Sequence, residues 1–517
     1  MVTTRDKDPT MKLIHLAAKK PHQIFWWFIA LHLTLWTLLP CWSSPNAPID
    51  VIEGYAWGRE WLMGTYKHPP MQAWWLEVFA WATGRAAWAH FLASQVAVVI
   101  AFWAVWQTGR RIVGATQALI GALLLEGVIY YNFTSVEFNP NVLQLMFWAL
   151  AGWSFHRAVK DNRLTDWLLL GVWGAGGLYS KYSTALLLAT FVVLMILRPE
   201  ARRRLKNVGP YLALAVTFLL FLPHLVWLTQ HDFMPFTYVK ERLHSAEPAT
   251  HYFTPPAFFP LVLLSPIVFV VGQLLALLPA SLLFLVLLNV QPERRATGRI
   301  NKFDRTFLAA VTFAPTILTL LMAVGFGFKT HDMWGAPFFN FAGLWALVRF
   351  YPAGAGIDRR FVIAWGIVFC AGLLGLAGGN VLAPHINHKP LRVHFAGAAL
   401  AQAVTAEWHK RYNVPLDYVI GDVWVAGNIA YYAPERPHVF LDANPAISPW
   451  INPDDVRHKG AVIVWCLDHC GHRGDLNPDH LPELFPRLEL QKPLTLPQQT
   501  SADTPAAVIG WAILPPE

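Results

Sequence analysis

The sequence predicts a mostly α-helical, polytopic membrane protein of about eleven spans, with a small C-terminal α/β domain. Three observations carry this. Of 517 residues, 55% are hydrophobic and only 14% charged, against about 25% charged in an ordinary soluble protein. Apolar runs repeatedly reach the roughly 20 residues that a spanning helix needs. The Lys and Arg residues fall in short clusters between alternate runs, the positive-inside pattern. That distribution accounts for the net charge of +8 and implies a lipid bilayer, not nucleic acid, as the surrounding partner.

In chain order the apolar runs lie near 24–41, 88–108, 113–131, 141–157, 165–179, 182–197, 208–230, 256–290, 306–326, 334–350 and 361–383. With the N-terminus on the cytoplasmic side, the cytoplasmic segments hold 23 Lys and Arg and the opposite loops up to residue 383 hold seven. This asymmetry sets the orientation, and the expected setting is a bacterial inner membrane. The 165–197 region, with Ser180-Lys181-Tyr182-Ser183 at its middle, reads as a hairpin or a re-entrant pair. The 256–290 run is too long for one untilted helix and contains Pro260, Pro266 and Pro279, so it reads as one tilted span or a broken one. After Pro384 the composition changes. Short β-like runs (Leu416–Gly421, His438–Leu441, Ala461–Trp465, Ala507–Ile513) alternate with a helix-like stretch, Val423–Tyr432. The expected division is a transmembrane domain over 1–384 and a periplasmic α/β domain over 385–517.

The informative polar residues fall in loops on the outer side. Asp50 and Glu53, three apart, share one face if their segment is helical, and carboxylates beside a bilayer are costly and usually functional. A carboxylate at the rim of an apolar cavity can have its pKa raised toward that of a general base. Tyr55 follows, and Lys67-His68-Pro69-Pro70 ends the run with two groups suited to a phosphate-bearing ligand. Glu137 and Asn141 flank Asn139-Pro140, a pattern that orients a sugar or acceptor, or makes an ordinary turn. Lys181, with Tyr182, is the lone base of its hairpin; it calls for an anionic partner or for snorkelling. The 224–252 loop carries His224, His231, Asp232, Lys240, Glu241, Arg242, His244 and His251. Its spacing matches no tight ligand motif, so a substrate gate is expected before a divalent metal site, and no metal ligand is assigned. Lys329 and His331, near Trp334, would suit a lipid-linked phosphate. Cys466, His469, Cys470 and His472 read as a paired or free thiol set before a zinc site.

These motifs, in this order, resemble the GT-C membrane glycosyltransferases. The likeness is to the bacterial branch related to protein O-mannosyltransferases, lipid A aminoarabinose transferases and rhizobial lipopolysaccharide core galacturonosyltransferases. It rests on Glu53-Gly54-Tyr55-Ala56-Trp57, Tyr66-Lys67-His68-Pro69-Pro70 and Leu178-Tyr179-Ser180-Lys181-Tyr182. It continues at Pro223-His224 with Trp227 and His231, and at Lys329 with Trp334 and Pro337. The resemblance implies an inverting enzyme that moves a sugar from a polyprenyl-phosphate donor to a lipid, glycan or protein acceptor, with a first-loop acid as base. It also implies that basic residues hold the donor phosphate. The pattern departs from the family at two places. The usual Asp-Glu pair is Ile52-Glu53 here, with an Asp displaced to Asp50, and a second family acid falls at Asn141, with Glu137 nearby. A transporter or flippase of a lipid-linked sugar would place charge near the membrane midplane and show repeats; neither is present. A non-catalytic assembly partner is the remaining alternative.

Overall fold

The computed structural model describes residues 9–244, 261–288, 300–327, 329–351, 356–472, 474 and 476–517. His251, the side chains of Glu241, Arg242 and His244, and the ends of the 256–290 run lie outside the described residues.

Two helices, α1 (Pro9–Lys19) and α2 (Pro21–Ser43), lead into a pair at one end of the bundle, α3 (Ile49–Gly58) and α4 (Met71–Thr83). The bundle continues through α5 (Ala89–Ile112), α6 (Ala115–Leu125), α7 (Pro140–Asp161), α8 (Leu164–Ser180) and α9 (Thr184–Leu197). Next come α10 (Pro199–Arg202), α11 (Gly209–Gln230), α12 (Met234–His244), α13 (Leu261–Leu288), α14 (Lys302–Phe326), α15 (Ala342–Phe350) and α16 (Arg359–Asn387). Among the described residues, six helices (α2, α5, α11, α13, α14 and α16) are long and apolar enough to cross a membrane. Two bent pairs, at 89° after α6 and 90° after α9, would make eight. The protein is a multi-pass membrane protein.

Helix α7 is the centre of the bundle: almost every side chain from Pro140 to Val159 is buried. Several of its polar side chains are paired internally. Gln144 Nε2 donates to Thr184 Oγ1 (2.9 Å) and Ser183 Oγ (3.0 Å), and His156 Nε2 lies 2.9 Å from Asp304. A second internal network joins α2, α5 and α6, where His32 bridges Glu126 (2.7 Å) and Gln95 (3.0 Å) and Trp36 donates to Glu126 (3.1 Å). Such pairing is what makes ionisable groups tolerable inside a bilayer.

One run left open by the sequence is settled as a single helix, and one differs from expectation. The prolines of α13 do not break it; 261–288 is one helix with Pro266 and Pro279 inside. The expected span at 334–350 divides into a 3-10 stretch, Asp332–Phe339, containing Pro337, and the nine-residue α15. At about 1.5 Å per residue α15 is too short to cross a bilayer alone.

After α16 and α17 (Gly397–Arg411) comes the predicted α/β unit. Its strands are β1 (Tyr418–Gly421), β2 (His438–Leu441), β3 (Ala461–Asp468), β4 (Glu489–Leu490), β5 (Leu494–Leu496) and β6 (Ala507–Leu514). Its helices are α18 (Val425–Tyr432), α19 (Pro453–Lys459) and α20 (Leu481–Leu484). The sheet order is β2-β1-β3-β6-β4, with β5 also on β6. Strands β1–β2 and β1–β3 are parallel and the β6 pairings antiparallel. All four strands expected from the sequence form. Cys466 and Cys470 are disulfide-bonded.

The sheet unit sits on α3. Gly427 of α18 packs so closely that a Cβ there would lie 2.6 Å from Ile52 Cγ2. Tyr55 stacks on Tyr431 with centroids 5.0 Å apart, and Arg436 makes a two-pronged ion pair with Glu77 of α4, both bonds 2.7 Å.

Candidate active site

Helix α3 is held against α4 by two glycines. A Cβ on Gly58 would meet Ala73 O at 2.7 Å, and one on Gly54 would meet Leu76 Cδ1 at 2.5 Å. Gln72 on α4 then donates to Asp50 O (2.8 Å) and to Phe138 O (3.1 Å). A single amide thus ties the start of α3 to the loop carrying Glu137.

Each cation reaches the site from its own turn. Thr65 organises the 65–68 turn: its hydroxyl donates to His68 O (3.0 Å) and accepts from the amides of Lys67 (3.3 Å) and His68 (3.1 Å). Pro69 and Pro70 end that turn and α4 begins at Met71. Lys67 Nζ, thus presented, lies 2.5 Å from Glu53 Oε1. Lys181 caps the C-terminus of α8, its amide bonding to Gly177 O. Its Nζ donates to Asn141 Oδ1 (2.7 Å) and stands 5.6 Å from the Trp334 ring centroid. Asn139 is the N-cap of α7, accepting from the amides of Asn141 and Val142, and this aims Asn141 from the helix's first turn.

The electrostatics join these groups into one cluster. Burial pushes the Glu53 carboxyl up; Lys67 opposes this and Asp50 adds to it. Burial acts to lower the Lys67 ammonium, but Glu53, Tyr66 and Tyr238 outweigh it and hold Lys67 well above its ordinary value. His68 is lowered to about 3 by burial and by Lys181 and Lys67, so its imidazole is neutral. Burial and Asp50 raise Glu137 to about 7, against Arg392, and the Asp50 amide donates to its carboxylate. Burial lowers Lys181 to about 7, with Asp50 pulling the other way. Yet Asp50, Lys67, His68 and Lys181 are only half-buried and Glu137 is exposed. These groups therefore keep a solvent-facing side and are not core residues.

Asp50, Glu53, Lys67, His68, Glu137, Asn141, Lys181 and Trp334 therefore converge. His331 is beside Trp334, centroids 5.1 Å apart. Lys329 is buried at the start of the same segment, which α13 anchors through Ser265 and Thr330 (2.8 Å). Tyr182 and His231 belong to a neighbouring set. Tyr182 Oη lies 2.8 Å from His224 Nε2, His224 Nδ1 lies 2.6 Å from Met63 O, and His231 stacks on Trp227 at 4.4 Å. Tyr55 faces the other side of α3, toward Tyr431. Two contributors come from the segment after α16: Arg392 acts on Glu137 and His472 on Glu53. Arg392 was not singled out in the sequence, and His472 only as a neighbour of the cysteines. Among the described residues no group of three or more His, Cys, Asp or Glu is arranged to hold a metal ion.

The family model described as dolichyl-phosphate-mannose-protein mannosyltransferase matches residues 67–227, which include Lys67, Asn141 and Lys181. The lipid A galacturonosyltransferase RgtD of Rhizobium johnstonii is 25% identical over 42% of this chain and 46% of its own length. The lipopolysaccharide core galacturonosyltransferases RgtB and RgtA of the same organism are 24% and 22% identical. RgtB is matched over 63% of both chains and RgtA over 85% of both. The chain thus spans about half of RgtD and less than two thirds of RgtB. In fold it is similar to ArnT from Cupriavidus metallidurans, whose crystal structure holds undecaprenyl phosphate. The TM-score is 0.57 at 13% identity, over 94% of this chain and 97% of ArnT. Motif order, family match and fold agree: from its membrane helices to its C-terminal sheet, the chain is similar to the GT-C superfamily of membrane glycosyltransferases.

Proposed function

We propose that the protein transfers a sugar from a polyprenyl-phosphate donor to an envelope lipid or glycan, on the periplasmic face of a bacterial inner membrane. The observation that carries this reading is the convergence of two acids with two cations delivered by separate turns, Lys67 paired with Glu53 and Lys181 within the field of Asp50.

In this reading Asp50 is the general base, and Glu53, paired with Lys67, positions that cation. The acceptor hydroxyl gives its proton to the Asp50 carboxylate, and its oxygen attacks the anomeric carbon. The bond from that carbon to the phosphate oxygen breaks, and polyprenyl phosphate leaves with the electron pair. Lys67 and Lys181 neutralise the phosphate as its charge grows, the role fixed cations play for departing anions. Attack from the face opposite the leaving group inverts the anomeric centre. Glu137 and Asn141 hold the sugar or acceptor hydroxyls, and Trp334 and His331 flank the lipid phosphate. Names of relatives support the class: RgtD is a lipid A galacturonosyltransferase, and ArnT binds undecaprenyl phosphate.

The test is transfer in proteoliposomes. Purified full-length protein receives undecaprenyl-phosphate-linked sugars, uronic and neutral, with lipid A or core glycolipid as acceptor. The expected result is a glycosylated lipid whose new linkage has the opposite anomeric configuration to the donor. No transfer from any such donor, or retention of configuration, would overturn the reading.

A further inference from the structure

We propose that the cleft lined by Arg59, Arg85 and Arg436, between α3, the turn after α4 and the α18–β2 turn, binds a phosphate on the headgroup of a membrane-embedded glycolipid acceptor. The proposal deepens the glycosyl-transfer reading by assigning the acceptor a second point of attachment, and it rests on that reading for the word acceptor.

The cleft lies on the flank of α3 away from the acids. Tyr55 and Tyr431, stacked, form one wall, and Arg59, Arg85 and Arg436 surround them. The three acids that act on Arg59 are already committed: Glu77 takes both prongs of Arg436, Glu60 lies 2.6 Å from His438 Nδ1, and Asp417 lies 3.4 Å from Lys459 Nζ. That leaves Arg59 with one long bond, 3.5 Å to Glu435 O. Arg85 Nη1 is buried with no acceptor at all. A buried guanidinium donor without an acceptor is rare and costly. Arg85, with that donor unmet, and Arg59, with its single long bond, stand beside Arg436 and make a site short of one anion; a phosphate suits the guanidinium fork. Arg85 and Arg436 both occupy left-handed backbone, at φ 62° and 54°, a conformation that costs a non-glycine residue energy and persists at clamps and binding sites. Burial and the charge of Arg436 depress the guanidinium of Arg85, and burial does the same to Arg59. A bound anion would reverse both effects.

Location selects the lipid source. On α4 and just after it, Trp81 is 85% exposed, Val78 47% and Trp88 40%. Exposed tryptophans in a membrane protein mark the headgroup level, so the arginines open where lipid phosphates lie. Arg59 follows Glu53 by six residues, about 9 Å along the helix axis, and lies on the other flank of α3. A headgroup of several sugars reaches around the helix over more than that distance, with its phosphate on the arginines and a hydroxyl at the acids.

Native mass spectrometry of the full chain in detergent tests this, using phosphatidic acid, phosphatidylcholine and inorganic phosphate as separate probes. Wild type is expected to retain one more phosphatidic acid than the Arg59→Gln/Arg85→Gln double variant, and to retain phosphatidylcholine no better than the variant does. Arg85→Gln alone, which removes a side chain with no hydrogen-bond acceptor, should weaken that retention about tenfold and serves if the double variant does not fold. Equal retention of phosphatidic acid by wild type and Arg85→Gln overturns the proposal. Arginine-dependent binding of inorganic phosphate without retained lipid also overturns it, because the site would then take a free anion. Asp50→Asn should retain the lipid like wild type. Binding is read without turnover, so failure of the subsite and failure of the transfer reading give different results.

Discussion

If Lys181 holds the donor phosphate, donor affinity must fall as pH rises above neutrality. In the ligand-free site burial lowers Lys181 to about 7. A phosphate beside it favours the charged form and raises that value. Between the free and bound values, binding takes up one proton, so apparent affinity falls about tenfold per pH unit. From about pH 7 to about pH 9 the loss reaches roughly 100-fold, or about 2.7 kcal/mol. A phosphate monoester has its second pKa near 6, so its own titration contributes little in this window. Lys67 stays charged throughout, because Glu53 holds it above its ordinary range. The assay is undecaprenyl phosphate binding to detergent-solubilised protein across this range, with calorimetry in buffers of different ionisation enthalpy to count the proton. Lys181→Met should bind weakly and with a flat profile. A flat profile in wild type, or an unchanged slope in Lys181→Met, would refute the assignment.

Further outcomes follow from the packing around α3 and the sheet. Gly58→Ala puts a Cβ 2.7 Å from the backbone oxygen of Ala73. It should destabilise the protein by about 1–3 kcal/mol, as overpacking does, and lower turnover by shifting α3; thermal unfolding alongside the transfer assay reads both. Removing the disulfide with Cys466→Ser/Cys470→Ser opens a five-residue loop and should cost about 2 kcal/mol by loop-closure entropy. Because His472 follows this loop, acceptor or donor KM should rise more than kcat falls. Unchanged kinetics and stability in that variant would remove the loop from the account.

Much of the site was legible because its residues are chemically out of place. Acids and a Lys-His-Pro-Pro turn beside an apolar run stand out, as does a lone Lys181 between two short helices, and the structure gathers them. The four longer strands declared themselves through β-branched runs, whereas β4 and β5, two and three residues long, are too short to leave a pattern. Helix α17 was missed although its buried Leu400, Ala401, Val404 and Trp408 repeat at helical spacing; its low hydrophobicity hid it among the loops. Arg392 and His472 act on Glu137 and Glu53 from hundreds of residues away, and such proximity leaves no local trace. The choice between Asp50 and Glu53 stays open in the sequence because the family's acid pair is displaced here, to Asp50 and Glu53. The contact of Glu53 with Lys67 is made by a turn whose course depends on Thr65 and two prolines.

The steady-state kinetics of Asp50→Asn and Glu53→Gln, measured side by side with an undecaprenyl-phosphate sugar, test the central claim most directly. The account predicts that Asp50→Asn lowers kcat by about 10²–10⁴, the range for loss of a general base, with donor KM nearly unchanged. Glu53→Gln should instead raise donor KM, because Lys67 loses the carboxylate that holds it. Turnover retained in Asp50→Asn and lost in Glu53→Gln would contradict it.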